Sequence, residues 1–278
     1  MITVQLTNGF GNNIFQYMAA KLLAEHHGQQ VGAILPTNDY YAINDLKKMN
    51  INITDMVSKN AVPINEFNYK AAYDKRYSKN DFHLVGYFED YTFFIDKLDL
   101  IKKWYPVKQK RNADDLVLHF RAGDRLYLKN EFEYKPSVQS YINAIENFDF
   151  KNLYIVTDMP KWDYITPESL EQMRFHVDVP HSERVPVEKS VNYFNSFVDG
   201  LSVYKPIINN KERRNIYKDF NFMRSFDKIL FQHGTLGWWA SIMSDATKVG
   251  VYGPWRAWKG NRNKNLSKIP LEGWFQWE

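Results

Sequence analysis

The chain has 278 residues, 44% of them hydrophobic and 24% charged, which fits one large globular domain or two of ordinary size and excludes a disordered chain. Lys and Arg exceed Asp and Glu by 36 to 32, a mild positive balance that suits phosphate-bearing ligands and argues against nucleic acid as a partner. There is no cysteine, so disulfides and thiolate metal sites are excluded. No apolar stretch approaches the roughly 20 residues of a membrane helix, and Met1 to Leu6 shows no basic leader, so a cytoplasmic protein is expected. The charge balance leaves open a weak peripheral contact with an anionic membrane.

Ile2 to Leu6 reads as a buried strand, followed by the turn Thr7-Asn8-Gly9-Phe10-Gly11-Asn12-Asn13. A helix is expected next, because Ile14, Met18 and Leu22 recur every four residues, as do Phe15, Ala19 and Leu23, with Gly28 as its stop. Val31 to Leu35 reads as the next strand. Glycines between a strand and a helix let backbone approach a ligand, and the helix N-terminus attracts anions. Gly9, Gly11 and Asn12 are therefore candidate binding residues; a tight turn with an Asn cap is the competing reading. The third glycine of the dinucleotide fingerprint is missing.

Residues 37–90 show no clear period. An amphipathic helix is expected over 92–104, and Pro106 to Asp114 reads as a linker. Residues 116–124 then run Leu-Val-Leu-His-Phe-Arg-Ala-Gly-Asp, an apolar strand ending in charge. The period of two puts His119 and Arg121 on one side of it. Ligands sit at the carboxyl ends of strands in open α/β sheets, and a guanidinium suits a phosphate. Arg121, His119 and Asp124 are thus candidate site residues, against an Arg–Asp pair closing a seam.

Downstream, Pro136 opens a helix through Val138, Tyr141, Ile142 and Ile145, and Leu153 to Val156 is a strand ending at Thr157 and Asp158. Helical patterns near 187–204 and 212–224 precede a strand at Ile229 to Phe231. A helix is expected from about Leu236 to Asp245 and a last strand at Val249 to Tyr252. Gln232-His233-Gly234-Thr235-Leu236-Gly237 offers backbone N–H groups, a hydroxyl and a helix N-terminus, which suits a pyrophosphate; Thr235 as a plain N-cap is the alternative. No Asp has another two positions on, so no paired oxygen ligands for a divalent metal are visible. Trp255, Trp258, Trp274 and Trp277 cluster near the C-terminus, as sugar-stacking faces or as core. The alternating pattern implies an α/β fold of two Rossmann-like domains facing a cleft, 1–110 and 111–278.

Five segments, in order, resemble the α-1,2-fucosyltransferases, glycosyltransferase family eleven. Gly9-Phe10-Gly11-Asn12-Asn13-Ile14-Phe15-Gln16-Tyr17 resembles that family's Gly-Leu-Gly-Asn-Gln-Leu-Phe-Gln-Tyr. Gly86-Tyr87-Phe88-Glu89 resembles its Gly-Tyr-Phe-Gln, and His119-Phe120-Arg121-Ala122-Gly123-Asp124 its His-x-Arg-Arg-Gly-Asp. Leu153 to Asp158 resembles the strand before its Ser/Thr-Asp-Asp turn, and Thr235-Leu236-Gly237-Trp238-Trp239-Ala240 its Ser-Phe-Ser-Trp-Trp-Ala. The resemblance implies a GT-B fold and inverting, metal-independent transfer of a sugar, L-fucose from GDP-fucose by preference, to a hydroxyl of an oligosaccharide or glycoconjugate. It needs no cofactor beyond the nucleotide-sugar donor.

By position, the resemblance assigns Arg121 to the β-phosphate, His119 to the guanine or ribose, and Asp219, sixteen positions before Thr235, to guanine. It assigns Gly234, Thr235 and Leu236 to the pyrophosphate, and Gly9, Gly11, Asn12 and Asp158 to the donor site. Asp124 is the expected general base, with Asp90 and Glu89 next. A transferase using another UDP- or GDP-sugar and a non-catalytic glycan-binding protein are the alternatives. Ala122 stands in place of the motif's second Arg, and Gly237 in place of its second Ser.

Overall fold

A computed structural model describes residues 1–111, 113–132, 135–173, 180–209, 215–253 and 271–278, without the side chains of 124, 130, 131 and 181. Trp255 and Trp258 lie outside the described residues. The elements run β1 (Ile2–Gln5), α1 (Phe10–His27), β2 (Val31–Ile34), α2 (Ile43–Lys48), β3 (Val62–Ile64), β4 (Phe82–Leu84) and α3 (Leu98–Trp104). They continue β5 (Asp115–Phe120), α4 (Lys129–Phe132), α5 (Val138–Ile145), β6 (Asn152–Thr157), α6 (Pro167–Gln172), α7 (Val187–Leu201) and β7 (Ile207–Asn209). Last come α8 (Ile216–Arg224), β8 (Lys228–Phe231), α9 (Thr235–Ile242), β9 (Lys248–Tyr252) and β10 (Trp274–Trp277).

The strands form two sheets, and every ladder in both is parallel. The first has the order β2-β1-β4-β3, the second β10-β9-β8-β5-β6-β7. In the first, the chain leaves β1 toward β2, crosses to β3 at the far edge and then fills the place beside β1 with β4. In the second, it leaves β5 toward β6 and β7 and returns on its other side at β8. Each sheet thus has a switch point, at β1/β4 and at β5/β8, where the loops leaving the carboxyl ends diverge and leave a crevice. All six residues of β5 are buried, as a central strand covered on both faces requires.

Several elements differ from the sequence reading, among them α4, α6 and β7, which it did not contain. α1 begins at Phe10, so Gly11 and Asn12 belong to its first turn and not to a loop; Gly9 precedes it in extended conformation. The expected helix over 92–104 is two 3-10 turns, at Tyr91–Phe93 and Ile95–Lys97, before α3. Within 37–90 lie α2, β3 and β4, the two strands only three residues each, too short for a period to register. Beyond β9 there is a further strand, β10, built of the tryptophan-rich tail; Trp277 is buried against Tyr141 and Tyr252, both at 4.8 Å. For Trp274 and Trp277, core packing is what the structure provides. Gly28 caps α1 in the left-handed region, as expected of a stop.

One aromatic knot joins the elements of the two sheets. Phe15 of α1 packs 4.7 Å from Trp238 and 4.9 Å from Trp239 of α9, and Phe94 lies 5.2 Å from Trp239. Phe10 meets Phe220 of α8 edge-on at 5.9 Å. All six side chains are almost fully buried, so truncating Phe15 to Ala should cost about 3–5 kcal/mol. The Trp-Trp pair of the α9 motif therefore serves packing.

The stretch between α3 and β5 is tied down. Arg111 donates its backbone N–H to Ser225 O and lays its guanidinium 4.4 Å from the Phe222 ring. Arg224, buried in α8, donates to Met243 O, Asn221 Oδ1 and Tyr105 O. Among the described residues, no helix is long and apolar enough to cross a membrane.

Candidate functional site

The N-termini of α1 and α9 meet where the two switch points face each other. Thr235, first residue of α9, donates its hydroxyl to Asn12 Oδ1 at 2.9 Å, and Asn12 Nδ2 donates to Glu89 Oε1 at 2.8 Å. Asn12 lies in the first turn after β1, Glu89 follows β4 and Thr235 follows β8, so this chain of bonds links both sheets. The two helices touch at backbone distance. A methyl on Gly11 would meet Thr235 Oγ1, would lie 2.5 Å from Leu236 N and would lie 2.7 Å from Thr235 C. Only glycine permits this approach.

The loop that leads to Glu89 is held in part by residues the sequence reading did not single out, Glu66, Tyr40 and Tyr41. Glu66 Oε1 accepts the N–H groups of Tyr87 and Phe88, at 2.6 and 3.1 Å. It thereby fixes a loop whose Phe88 sits at φ 53°. Gln16 donates to Gly86 O and to Thr7 Oγ1, and accepts from Thr7 N–H, joining that loop to the one after β1. Asn8, at φ 60°, donates to the Tyr87 hydroxyl at 2.7 Å, and Tyr40 and Tyr41 both donate to Asn8 O. The exposed ring of Tyr41 lies within electrostatic reach of Arg121. No periodicity could have announced Glu66 or Tyr41, because both lie in irregular segments.

On the other side, Arg121 follows β5 directly, and its side chain lies beside Gly234. The Gly234 Cα faces the Arg121 side chain; a methyl there would lie 3.7 Å from Cδ and 3.9 Å from Nη1. Gly234 has φ 151°, a conformation glycine tolerates and other residues rarely adopt. Gln232 ties the two segments together, donating to Arg121 O and accepting from the buried Tyr141 hydroxyl. Burial pushes that phenol well above the usual tyrosine range, so it stays a donor.

Several residues expected to touch a donor are engaged inside the protein. Asp158 Oδ1 accepts the N–H groups of Ala122 and Gly123 at 2.6 and 2.9 Å, so this oxygen shapes the bend that follows Arg121. His119 is buried between β5 and α9, where a methyl on Gly237 would lie 2.8 Å from its Nδ1 and 3.0 Å from the Phe231 ring. Gly237 in place of serine is therefore a packing requirement, and His119 lies under α9 rather than on an open face. The methyl of Ala122 is 1% exposed and points into the second core. Thr235 has committed its hydroxyl proton to Asn12, and Gly11 lies against the Leu236 N–H.

Asp219 is buried in α8 and accepts from Asn209 Nδ2 at the end of β7, at 3.3 Å. This places it two strands from β5 along the same carboxyl edge. Asp124 lies in a 3-10 turn, Gly123–Leu126, with its side chain outside the described atoms. Asp90 caps the turn Tyr91–Phe93 through Thr92 N–H. Among the described residues, no group of three or more His, Asp or Glu side chains could hold a metal ion. A concavity of about 420 Å³ lies at the opposite, amino-terminal edge of β9 and β10, beside Lys248 and Trp274, and none of the expected residues lines it. In comparisons with protein-family models and with curated proteins, nothing matches this chain.

Proposed function

We propose that the chain is a glycosyltransferase that moves a sugar from a nucleotide diphosphate to a glycan hydroxyl with inversion, with GDP-fucose as the preferred donor. The observation that carries this reading is the meeting of two switch points, one with Arg121 beside Gly234 and the other with Glu89 held on Asn12. On this reading the regions 1–110 and 111–278 act as acceptor-side and donor-side halves of a GT-B-like pair. The diphosphate lies along Arg121 and Gly234, and the base reaches toward Asp219 along the edge of the second sheet. A carboxylate accepts the two N–H donors of guanine, so Asp219 suits that base better than uracil.

The acceptor hydroxyl attacks the anomeric carbon as the diphosphate departs. Arg121 and the backbone N–H of the 232–234 loop stabilise the charge growing on the leaving group. Glu89 is the carboxylate we assign as general base ahead of Asp124, because it sits at the junction on the acceptor side. Glu89→Gln should lower kcat by about 10²–10⁴-fold. Arg121→Ala should abolish transfer with little loss of folding.

The test is a thermal-shift panel of GDP-fucose, other GDP- and UDP-sugars and free nucleotides, since a ligand bound by the native state raises Tm. Stabilisation by GDP compounds that vanishes in Asp219→Ala supports the reading. A panel that moves nothing, or an Arg121→Ala variant with full activity, removes it.

A further inference from the structure

The motif at the end of β5 has one arginine fewer than the family it resembles, because position 122 faces the core. A second guanidinium approaches the site from elsewhere. Arg125, in the turn Gly123–Leu126, is buried, and its Nη1 lies 3.3 Å from Nδ1 of His233. His233 is the middle residue of the loop between β8 and α9, next to Gly234.

The chemistry of the pair fixes a proton. Arginine has five donors and no acceptor, so a bond to Nδ1 requires that nitrogen to be bare. The ring hydrogen is then on Nε2. The ring is held in place by Tyr252, edge-on at 4.8 Å.

Arg125 also reaches the surroundings of the loop. It acts electrostatically on the phenols of Tyr141 and Tyr193, and Tyr141 is the donor to Gln232, which in turn donates to Arg121 O. The guanidinium therefore touches the loop Gln232-His233-Gly234 at His233, from the turn that follows Arg121.

We propose that Arg125 is a positioning residue for this site. It keeps the His233 proton on Nε2 by donating to Nδ1, and so holds the loop that presents Gly234 to Arg121. The part concerning the ligand rests on the diphosphate reading above; the part concerning the tautomer does not.

The experiment pairs ¹⁵N NMR of the histidine rings with calorimetric titration of GDP, on the full chain. The His233 resonances are assigned by their loss in His233→Asn. In the wild type at neutral pH, His233 should show a bare Nδ1 and a protonated Nε2. Arg125→Met should abolish that preference and weaken GDP binding about tenfold or more, the equivalent of one charge-assisted contact. Arg125→Lys keeps a charge and a donor, should restore both readouts in large part, and stands in if the Met variant does not fold. Arg125→Met and His233→Asn should be no worse together than the more damaging one alone.

A wild-type His233 that is cationic or protonated on Nδ1 overturns the proposal. So does an Arg125→Lys variant in which neither readout returns, or a pair of substitutions whose effects on GDP binding simply add. A wild type that binds neither GDP, UDP nor inorganic pyrophosphate removes the diphosphate reading and the part concerning the ligand with it. The imidazole spectrum then still decides whether Arg125 holds His233.

Discussion

Gly11→Ala separates two physical effects of opposite sign. Gly11 is the second residue of α1, and an exposed helical glycine replaced by alanine gains up to about 1 kcal/mol. Here the new methyl would lie 2.5 Å from Leu236 N and 2.7 Å from Thr235 C, both backbone atoms of α9. Ordinary contact begins near 3.4 Å, so α1 and α9 must part by up to about 1 Å. Overpacking of this kind costs about 1–3 kcal/mol. Parting the helices also stretches the 2.9 Å bond from Thr235 to Asn12, worth about 1 kcal/mol more. The net expectation is destabilisation of about 1–3 kcal/mol, which for a chain of this size lowers Tm by roughly 2–4 °C per kcal/mol. Differential scanning calorimetry of the two proteins measures it. A Tm that rises, as propensity alone dictates, would refute the close approach of the two helices and with it the junction on which the site is built.

Asp158→Ala leaves the buried N–H groups of Ala122 and Gly123 without that acceptor oxygen and should cost about 1–3 kcal/mol in chemical denaturation. Asp158→Asn keeps an acceptor and should cost less. Arg224→Met removes donors to Met243 O, Asn221 Oδ1 and Tyr105 O and should destabilise by about 1–3 kcal/mol, read by the same denaturation. Lys135 has its ammonium 3.3 Å from the Phe132 ring centroid, and burial, with the Lys189 charge adding to it, lowers its pKa to about 8. In the unfolded chain the group titrates near 10.5, so between pH 8 and 10.5 the unfolded state binds more protons and the contribution of Lys135 to stability rises with pH. The buried tyrosines act oppositely above pH 10, because burial raises phenols such as Tyr40 and Tyr105 and the native state keeps protons that the unfolded state loses. The comparison therefore belongs between pH 8 and 10, where Tm of the wild type should rise relative to Lys135→Met; parallel curves would show that Lys135 is not perturbed.

What was legible in the sequence follows the length of each element. The strand at β5 and helices α1, α7 and α8 carry enough residues for a period to show, and the motifs at their ends could be placed. β3 and β4 have three residues each, and their side-chain alternation is too brief to be told from loop. β10 was hidden because its Trp-Phe-Gln-Trp run reads equally as a sugar platform or a core strand; pairing with β9 decides it. Of the site, the sequence indicated which loops end the strands. It did not indicate which way their side chains turn, since Ala122 and Arg121 are neighbours with opposite destinations. Nor did it point to Arg125 or Glu66, whose roles come from contacts more than twenty residues away in the chain.

The polar residues of the junction largely satisfy one another. Asp158 holds the bend, Thr235 and Asn12 hold the two helices together, and His119 lies under Gly237. On the proposed function, Arg121, the backbone around Gly234 and the Asn8–Tyr41 rim form the face turned to a diphosphate, with Asp219 further along the edge. Asp158→Ala should therefore lower affinity for a diphosphate and stability together, because it acts by loosening the bend. Arg121→Ala should lower affinity more than it lowers Tm, because on this reading its guanidinium meets the diphosphate directly. A ligand that pulled the Thr235 hydroxyl away from Asn12 would first have to break the bond between the two helices. If binding uses Thr235, Asn12→Ala should tighten it by freeing the hydroxyl. If binding uses Arg121 and the loop backbone alone, the same substitution should leave affinity unchanged or weaken it as the junction loosens. The sign of that one change, read by titration with GDP, distinguishes a latch that the donor must open from a wall that it rests against.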